Sequence, residues 1–309
     1  MMFSFTDKKN KFVRGIKNLA VCAFALVAVV TASAANPVTA SAAEQETKPA
    51  QSAEEKKTDI KAPVFKEVQN INRGYTHPFG SQTNKITLHW NSVKNAKKYN
   101  LYVKGGKYDE YTLYKTVKGT SCTVSGLKRA TNYSFVVKSV AKDGTLSSAS
   151  KPQTIKTARI DFDKAGWQAM CRIVYHEVGK INDSMWDKPI VYVADCVVNR
   201  YEKAKYTNHP TWSSFYKNYN SVQSMIYKSG GFMSSTQLTN EGAAYSKVSS
   251  RVKTAVYGAV YGISAYKGIK NDNNIYYWCN RSYKSSGKGI AYQFKIPWGY
   301  FNIWRTYWG

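Results

Sequence analysis

The sequence has little acidic charge, little histidine and little cysteine. It contains 19 Asp and Glu against 45 Lys and Arg, a formal net charge of +26, with 4 His and 5 Cys. After residue 158 the only histidines are His176 and His209, too few for the ligand set of a zinc amidase. We therefore expect no metal and no cofactor. The excess of positive charge favours an anionic partner, such as nucleic acid, a membrane surface or an acidic polymer.

Long apolar runs are also absent, since no run in the sequence reaches the roughly 20 residues that cross a bilayer. The run Leu19–Val30 follows a basic stretch, Lys8–Lys17, and precedes small residues up to Ala43. This order is typical of a secretory signal peptide, which we predict over residues 1–43, with no stable membrane anchor. Export excludes nucleic acid as a partner. We expect a secreted, cell-wall-associated monomer that binds anionic cell-wall polymers.

Composition and periodicity divide the following residues into a linker and a first domain. Residues 44–62 are poor in large apolar side chains, which predicts a flexible linker. Residues 63–158 alternate apolar and polar positions between turn signals, which predicts an all-β antiparallel sandwich. Its predicted strands are Ile86–Trp90, Lys98–Val103, Thr112–Thr116 and Tyr133–Val137.

Three features of this sandwich resemble a fibronectin type III domain. They are Trp90 in one strand, Leu101–Val103 in the next, and the segment Leu127–Tyr133 that leads into another strand. The resemblance implies that Tyr133 is the corner tyrosine of that fold, and that the domain is a spacer or a weak carbohydrate contact. Three further tyrosines could bind or pack, and packing is the more frequent role for large aromatics. They are Tyr108, Tyr111 and Tyr114.

Residues 159–309 change to helical periodicity and then to a tail rich in Tyr, Trp, Gly and Asn. Apolar residues recur at three- and four-residue steps, which predicts three amphipathic helices. The tail from Ile275 predicts loops and short strands such as Ile275–Trp278. The second domain is therefore expected to be α+β. The predicted helices are Ala165–Val178, Pro189–Glu202 and Lys247–Tyr266.

A single carboxylate stands out in this second domain. Glu177 lies at the C-terminal end of the first predicted helix, within Ile173–Gly179 and beside aromatic residues. Burial raises the pKa of a carboxyl group, and a carboxyl that keeps its proton near neutral pH can protonate a glycosidic oxygen. The competing interpretation is a solvated residue at a helix end. Position alone favours that competing interpretation.

The order of motifs in this domain resembles the SleB-like cell-wall hydrolases, which include the spore cortex-lytic enzymes. The resemblance covers about residues 165–309 and implies a lysozyme-like α+β fold that acts on the MurNAc-GlcNAc backbone of peptidoglycan, with Glu177 as general acid. The matching segments are Tyr175–Glu177, Tyr192–Arg200, Ser221–Tyr227 with Gly230–Phe232, Ala255–Gly262, and Ile275–Trp278 with Asn280.

Five residues are predicted to bind the substrate. Phe232, Tyr276 and Tyr277 are candidate stacking surfaces for sugar rings, while most other large aromatics are expected in the core. Asn199 and Asn280 follow from the resemblance. Arg200, next to Asn199 at the predicted end of the second helix, is explained by the favourable position of a cation at a helix C-terminus.

The sequence departs from the family pattern in three places. Val178-Gly179-Lys180 stands where the family has a second Glu, Cys279 or the pair Trp278-Cys279 replaces a His, and the pattern near Trp304 differs. Because only one carboxylate is left, the resemblance suggests a lytic transglycosylase. In that reaction the nucleophile is the 6-hydroxyl of the muramic acid itself, so one carboxyl group of the enzyme suffices. A hydrolase needs a second group. The nearest acidic candidates are Asp183, Asp187 and Asp195, of which the first two fit loop or capping positions.

Three other functions compete with this one. His176-Glu177 begins the motif of a zinc peptidase but does not complete it, because Lys180 stands where the second His of that motif belongs. A Cys-dependent amidase or endopeptidase would pair Cys171, Cys196 or Cys279 with His176 or His209, but Cys171 and Cys196 are predicted to be buried thiols on helices. The third is a peptidoglycan-binding protein with weakened catalysis.

Overall fold

The computed structural model describes residues 59–66, 83–209, 212 and 217–306. The predicted signal peptide, residues 1–43, and most of the predicted linker, residues 44–62, lie outside the described residues. Among the described residues, no helix has the length and apolar character needed to cross a membrane.

The first part of the chain is a two-sheet sandwich. One sheet pairs β1 with β4, and the other has the order β3-β2-β5-β6, with every pair antiparallel. Because side chains alternate across each strand, Leu88, Leu101, Val103 and Phe135 all point inward and are fully buried. The strands are β1 Lys85–His89, β2 Lys98–Gly105, β3 Tyr108–Val117, β4 Ser121–Ser125, β5 Asn132–Val140 and β6 Gln153–Lys156.

The four predicted strands are confirmed, with β4 and β6 in addition. Trp90 lies at the end of β1 and is fully buried, and the Tyr133 hydroxyl accepts a hydrogen bond from the backbone N–H of Lys128 at 2.7 Å. Tyr108 and Tyr114 pack against the sandwich core, as the packing interpretation expects. Tyr111 is 37% exposed, and its hydroxyl is 2.8 Å from that of Ser134.

The second part is a helical domain followed by a small sheet. Every residue of α2 from Pro189 to Asn199 is buried, so this helix runs through the centre of the domain, with α1 and α5 packed on it. Its core includes Trp167, Ile173, Ile190, Tyr257 and Tyr261. The helices are α1 Lys164–Val174, α2 Asp187–Tyr206, α3 Val222–Tyr227, α4 Ser235–Asn240 and α5 Ser250–Tyr261.

Two helix boundaries differ from those predicted. The first helix is α-helical only to Val174 and continues as a π-helical turn, Tyr175–Gly179. α5 ends at Tyr261 rather than Tyr266, because Gly262 adopts a left-handed conformation (φ 60°) that closes the helix.

The tail forms a three-stranded antiparallel sheet in the order β7-β9-β8, with strands β7 Tyr277–Arg281, β8 Ile290–Ile296 and β9 Gly299–Trp304. The strand predicted at Ile275–Trp278 therefore begins two residues later. One face of this sheet covers α2, where the Tyr192 ring stacks on Tyr292 at 4.2 Å. Strand β7 also places Trp278 beside the π-helical turn, where its indole N–H donates to Glu177.

The sandwich is attached to the helical domain by charged contacts. Glu202 on α2 forms ion pairs with Arg129 of the sandwich and with the buried Arg159. The guanidinium of Arg159 also donates to the Asn199 side chain at 2.6 Å. Asp161, between the two domains, accepts a hydrogen bond from the Thr83 hydroxyl at 2.6 Å. The two domains thus meet through specific contacts and not only through the chain that joins them.

Candidate active site

Glu177 lies in the π-helical turn that ends the first helix. Such turns place an extra residue in the helix and occur frequently at functional sites. Gly179 closes the turn against α5, since a Cβ at this position would lie 2.5 Å from Cγ2 of Val252. The Glu177 side chain is 26% exposed, so its carboxylate is within reach of a ligand while still held by the protein.

Trp278 holds one oxygen of this carboxylate. Its indole N–H donates to Oε2 of Glu177 at 2.9 Å. The Phe232 ring stacks on the Trp278 ring, with centroids 5.4 Å apart and an interplanar angle of 13°. Phe232, predicted as a sugar contact, therefore lies one ring away from Glu177.

Arg200 lies among the aromatic rings beside Glu177. Its guanidinium lies 4.5 Å from the Phe232 ring, 4.8 Å from Tyr277 and 5.4 Å from Trp278. Burial lowers the pKa of Arg200, while nearby groups that include Glu177 act in the opposite direction. The explanation of Arg200 as a C-terminal helix cation is wrong, because α2 continues to Tyr206. Sequence reasoning assigned Arg200 to the end of the helix and missed its position among the aromatic rings.

His176 and Glu241 lie on the other side of the carboxylate. His176 Nε2 is 2.5 Å from Oε2 of Glu241, and His176 Nδ1 is 3.5 Å from Oε1 of Glu177. Glu241 follows α4, more than sixty residues along the chain. The sequence did not identify Glu241, because no motif surrounds it.

The structure separates the five predicted substrate-binding residues. Phe232 and Tyr277 are partly exposed and contact Arg200, and Asn280 is exposed on β7 two residues beyond Trp278. Asn280 and Trp278 therefore share a face of the sheet. These three residues remain candidates for the site.

The structure corrects the other two predictions of substrate binding, because Asn199 and Tyr276 have structural roles. Asn199 is fully buried, accepts from Arg159, and donates to the carbonyl oxygens of Asp272 and Ile275 at 2.8 Å each. Tyr276 is only 5% exposed and packs against Trp212. A sugar cannot reach either side chain without unfolding the tail.

The candidate second acids are also used structurally. Asp183 caps a short 3-10 helix through the Met185 N–H, and Asp187 binds Arg251. Asp195 is fully buried and accepts from the Asn271 side chain and the Asp272 N–H at 2.8 Å each. Burial raises the pKa of Asp195 to about 7. No described contact joins any of the three to Glu177.

The cysteine and metal alternatives find little support in the described residues. Cys171 and Cys196 are free and fully buried, as predicted, and burial raises the pKa of both thiols. The reactive thiolate is thus disfavoured at both positions. Cys279 is also free and partly exposed on β7. Within the described ranges no group of three His, Cys, Asp or Glu side chains could hold a metal ion.

Comparison with known proteins concerns the sandwich. No family model matches the chain. Over 85 residues, 27% of the chain, it is 36% identical to chitinase A1 of Niallia circulans, and covers 12% of that protein. Over 101 residues, 33% of the chain, it is 32% identical to fibronectin type III domain-containing protein 7 of Mus musculus, and covers 13% of it. The chain thus spans about an eighth of the length of these relatives.

Solved structures give matches of similar extent. An Fn3-like protein from Clostridium thermocellum is 23% identical with a TM-score of 0.25, and the match covers 31% of this chain and 92% of that one. The fibronectin type III domain of human fibronectin type III domain containing protein 3 is 17% identical with a TM-score of 0.24, over 35% of this chain and 92% of that one. The chain contains a fibronectin type III-like sandwich.

Proposed function

We propose that this chain is a secreted, cell-wall-associated enzyme that cleaves the MurNAc-GlcNAc backbone of peptidoglycan as a lytic transglycosylase, with Glu177 as general acid and base. The observation that carries the proposal is the setting of Glu177. It is a partly exposed carboxylate at the end of a buried helix, and its Oε2 accepts a hydrogen bond from Trp278, whose ring stacks on Phe232.

The proposed reaction needs only one carboxyl group from the protein. Neutral Glu177 gives its proton to the glycosidic oxygen, and the bond from that oxygen to C1 of the muramic acid breaks. The 6-hydroxyl oxygen of the same muramic acid then bonds to C1, and its proton passes to the Glu177 carboxylate. The product is a 1,6-anhydro sugar, the acid is restored, and no water is consumed.

The aromatic residues beside Glu177 fit a sugar ligand. Pyranose rings present apolar C–H faces that pack on aromatic rings, and the partly exposed Phe232 and Tyr277 offer such surfaces next to Trp278. Arg200 among these rings fixes their positions through cation–π contacts. The excess of Lys and Arg over Asp and Glu supports retention on an anionic wall.

The experiment compares the full chain with Glu177→Gln on purified peptidoglycan and analyses the released fragments by mass spectrometry. Gln preserves the shape of the side chain and removes the group that titrates. Glu110→Gln, the same change at an exposed residue of the sandwich, is the matched control. Anhydromuropeptides from the unmutated protein and the control, but not from Glu177→Gln, support the proposal.

Other outcomes of this experiment argue against the proposed reaction. Fragments with reducing ends would replace transglycosylation by hydrolysis. Binding without cleavage by the unmutated protein would show a wall-binding protein and contradict the enzymatic proposal.

A further inference from the structure

His176 lies between two carboxylates, one of which is Glu177. Its Nε2 is 2.5 Å from Oε2 of Glu241, and its Nδ1 faces Oε1 of Glu177 at 3.5 Å. The imidazole is 14% exposed, and Nδ1 makes no hydrogen bond in the structure. The ring is therefore held at one nitrogen while the other is directed at the proposed acid.

The contact with Glu241 determines which nitrogen of His176 carries hydrogen. An ionised carboxylate only accepts hydrogen bonds, so Nε2 must donate to Glu241. Nδ1 then faces Oε1 of Glu177. Because the Trp278 N–H donates to Oε2, the two oxygens of Glu177 have different neighbours.

The segment that carries Glu241 is itself tied to the helix that carries Glu177. Arg172 on α1 donates to the carbonyl oxygen of Ala243 at 2.8 Å and to the Ser235 side chain at 2.8 Å. Lys180 Nζ, just past the π-helical turn, donates to the Glu241 carbonyl oxygen at 2.6 Å. The position of Glu241 relative to Glu177 is thus fixed from both ends of its segment.

We propose that His176, oriented by Glu241, is a positioning residue that fixes the Glu177 carboxyl group in its reactive orientation. This inference rests on the proposed function of Glu177. Trp278 donates to Oε2, and the imidazole of His176 lies 3.5 Å from Oε1, so rotation of the carboxyl group about its last bond would break the Trp278 hydrogen bond and move Oε1 away from the imidazole.

The test uses Glu241→Gln, which keeps the shape of the side chain and removes the charge that orients His176. Glu110→Gln, the same change at an exposed residue of the sandwich, is the matched control. On soluble glycan strands we expect Glu241→Gln to lower kcat about tenfold with KM unchanged. Glu110→Gln should keep kcat within about twofold of the unmutated protein.

A second measurement does not depend on turnover. With 15N-labelled tryptophan, the indole N–H signal of Trp278 is assigned by its loss in Trp278→Phe, and it reports the orientation of Glu177. We expect this signal to move in Glu241→Gln and to stay in Glu110→Gln. If the unmutated protein cleaves no glycan, the proposed function fails while this readout still decides whether His176 and Glu241 position Glu177.

Two results would overturn the inference. One is an unchanged Trp278 signal together with an unchanged kcat in Glu241→Gln. The other is a loss of kcat in Glu241→Gln that is matched by a lower melting temperature, with the Trp278 signal of the folded protein unchanged. The second result would show that the contact between His176 and Glu241 serves stability alone.

Discussion

The indole N–H of Trp278 donates to Oε2 of Glu177 across 101 residues of sequence. This bond joins the first strand of the tail sheet to the π-helical turn at the end of α1. The orientation of the proposed acid therefore depends on the tail sheet as well as on its own helix. Substitutions in the tail sheet should therefore reduce glycan cleavage more than they reduce the stability of the helical core.

Trp278→Phe tests that dependence. The phenyl ring keeps the stack on Phe232 but cannot donate to Glu177. A hydrogen bond to a charged group contributes roughly 1.5–3 kcal/mol, so we expect a loss of at least about tenfold in glycan cleavage, with the melting temperature little changed. Cleavage is measured by fragment release and folding by circular dichroism. Trp298→Phe, at an exposed tryptophan, is the control and should cleave normally.

Gly179→Ala tests the π-helical turn. A Cβ at residue 179 would lie 2.5 Å from Cγ2 of the buried Val252 and 3.2 Å from Cδ2 of Tyr175. Overpacking of this kind costs roughly 1–3 kcal/mol, and here the strain falls two residues from Glu177. We expect a lower melting temperature and a larger relative loss of cleavage. Gly119→Ala, where a Cβ meets nothing within 4 Å, should change neither. Equal, small effects in both variants would contradict a tight turn.

The sequence predicted the elements of the fold better than their ends. Alternation found four sandwich strands, and the three long helices appear where periodicity placed them. The end of α5 was placed too late because Gly262 lies within a run that is still apolar. The π-helical turn was not predicted, since its hydrogen-bond pattern depends on how residues 175–179 pack against α5, which periodicity does not record.

The sequence predicted only part of the candidate site, for a related reason. Glu177 and Phe232 carry local motifs, and the structure places them on either side of Trp278. Glu241 reaches the site only because a distant segment folds against it, so no spacing in the sequence predicts its position. Asn199 has a motif but is buried, because its amide binds the tail backbone instead of a ligand.

Glu202→Ala tests the attachment of the sandwich. It leaves Arg129 and the buried Arg159 without their shared carboxylate. Removal of one partner of a buried ion pair costs roughly 3–5 kcal/mol, and because Glu202 is 16% exposed we expect a loss nearer about 3 kcal/mol. Unfolding in urea is followed by circular dichroism. Glu110→Ala removes an exposed partner of Lys104 and should cost less than about 1 kcal/mol. Similar losses in both variants would show that the cluster adds no more than a surface pair.

Asp195 gives the protein a specific pH dependence of stability. Burial raises its pKa from 3.8 to about 7, so the folded protein retains a proton that the unfolded chain loses. The contribution of Asp195 is therefore complete below about pH 4 and is lost as the pH rises to about 7. The full loss is on the order of 4 kcal/mol.

Asp195→Asn cannot ionise, so its free energy of unfolding should fall less between pH 4 and pH 7 than that of the unmutated protein. The amide keeps an acceptor for the Asp272 N–H and turns its NH2 toward Asn271, which lowers stability at pH 4. Urea unfolding at pH 4, 5.5 and 7 measures the difference, with Asp109→Asn as a control at an exposed position. Parallel curves for Asp195→Asn and the unmutated protein would mean that folded Asp195 is already ionised, and that its two hydrogen bonds outweigh the effect of burial.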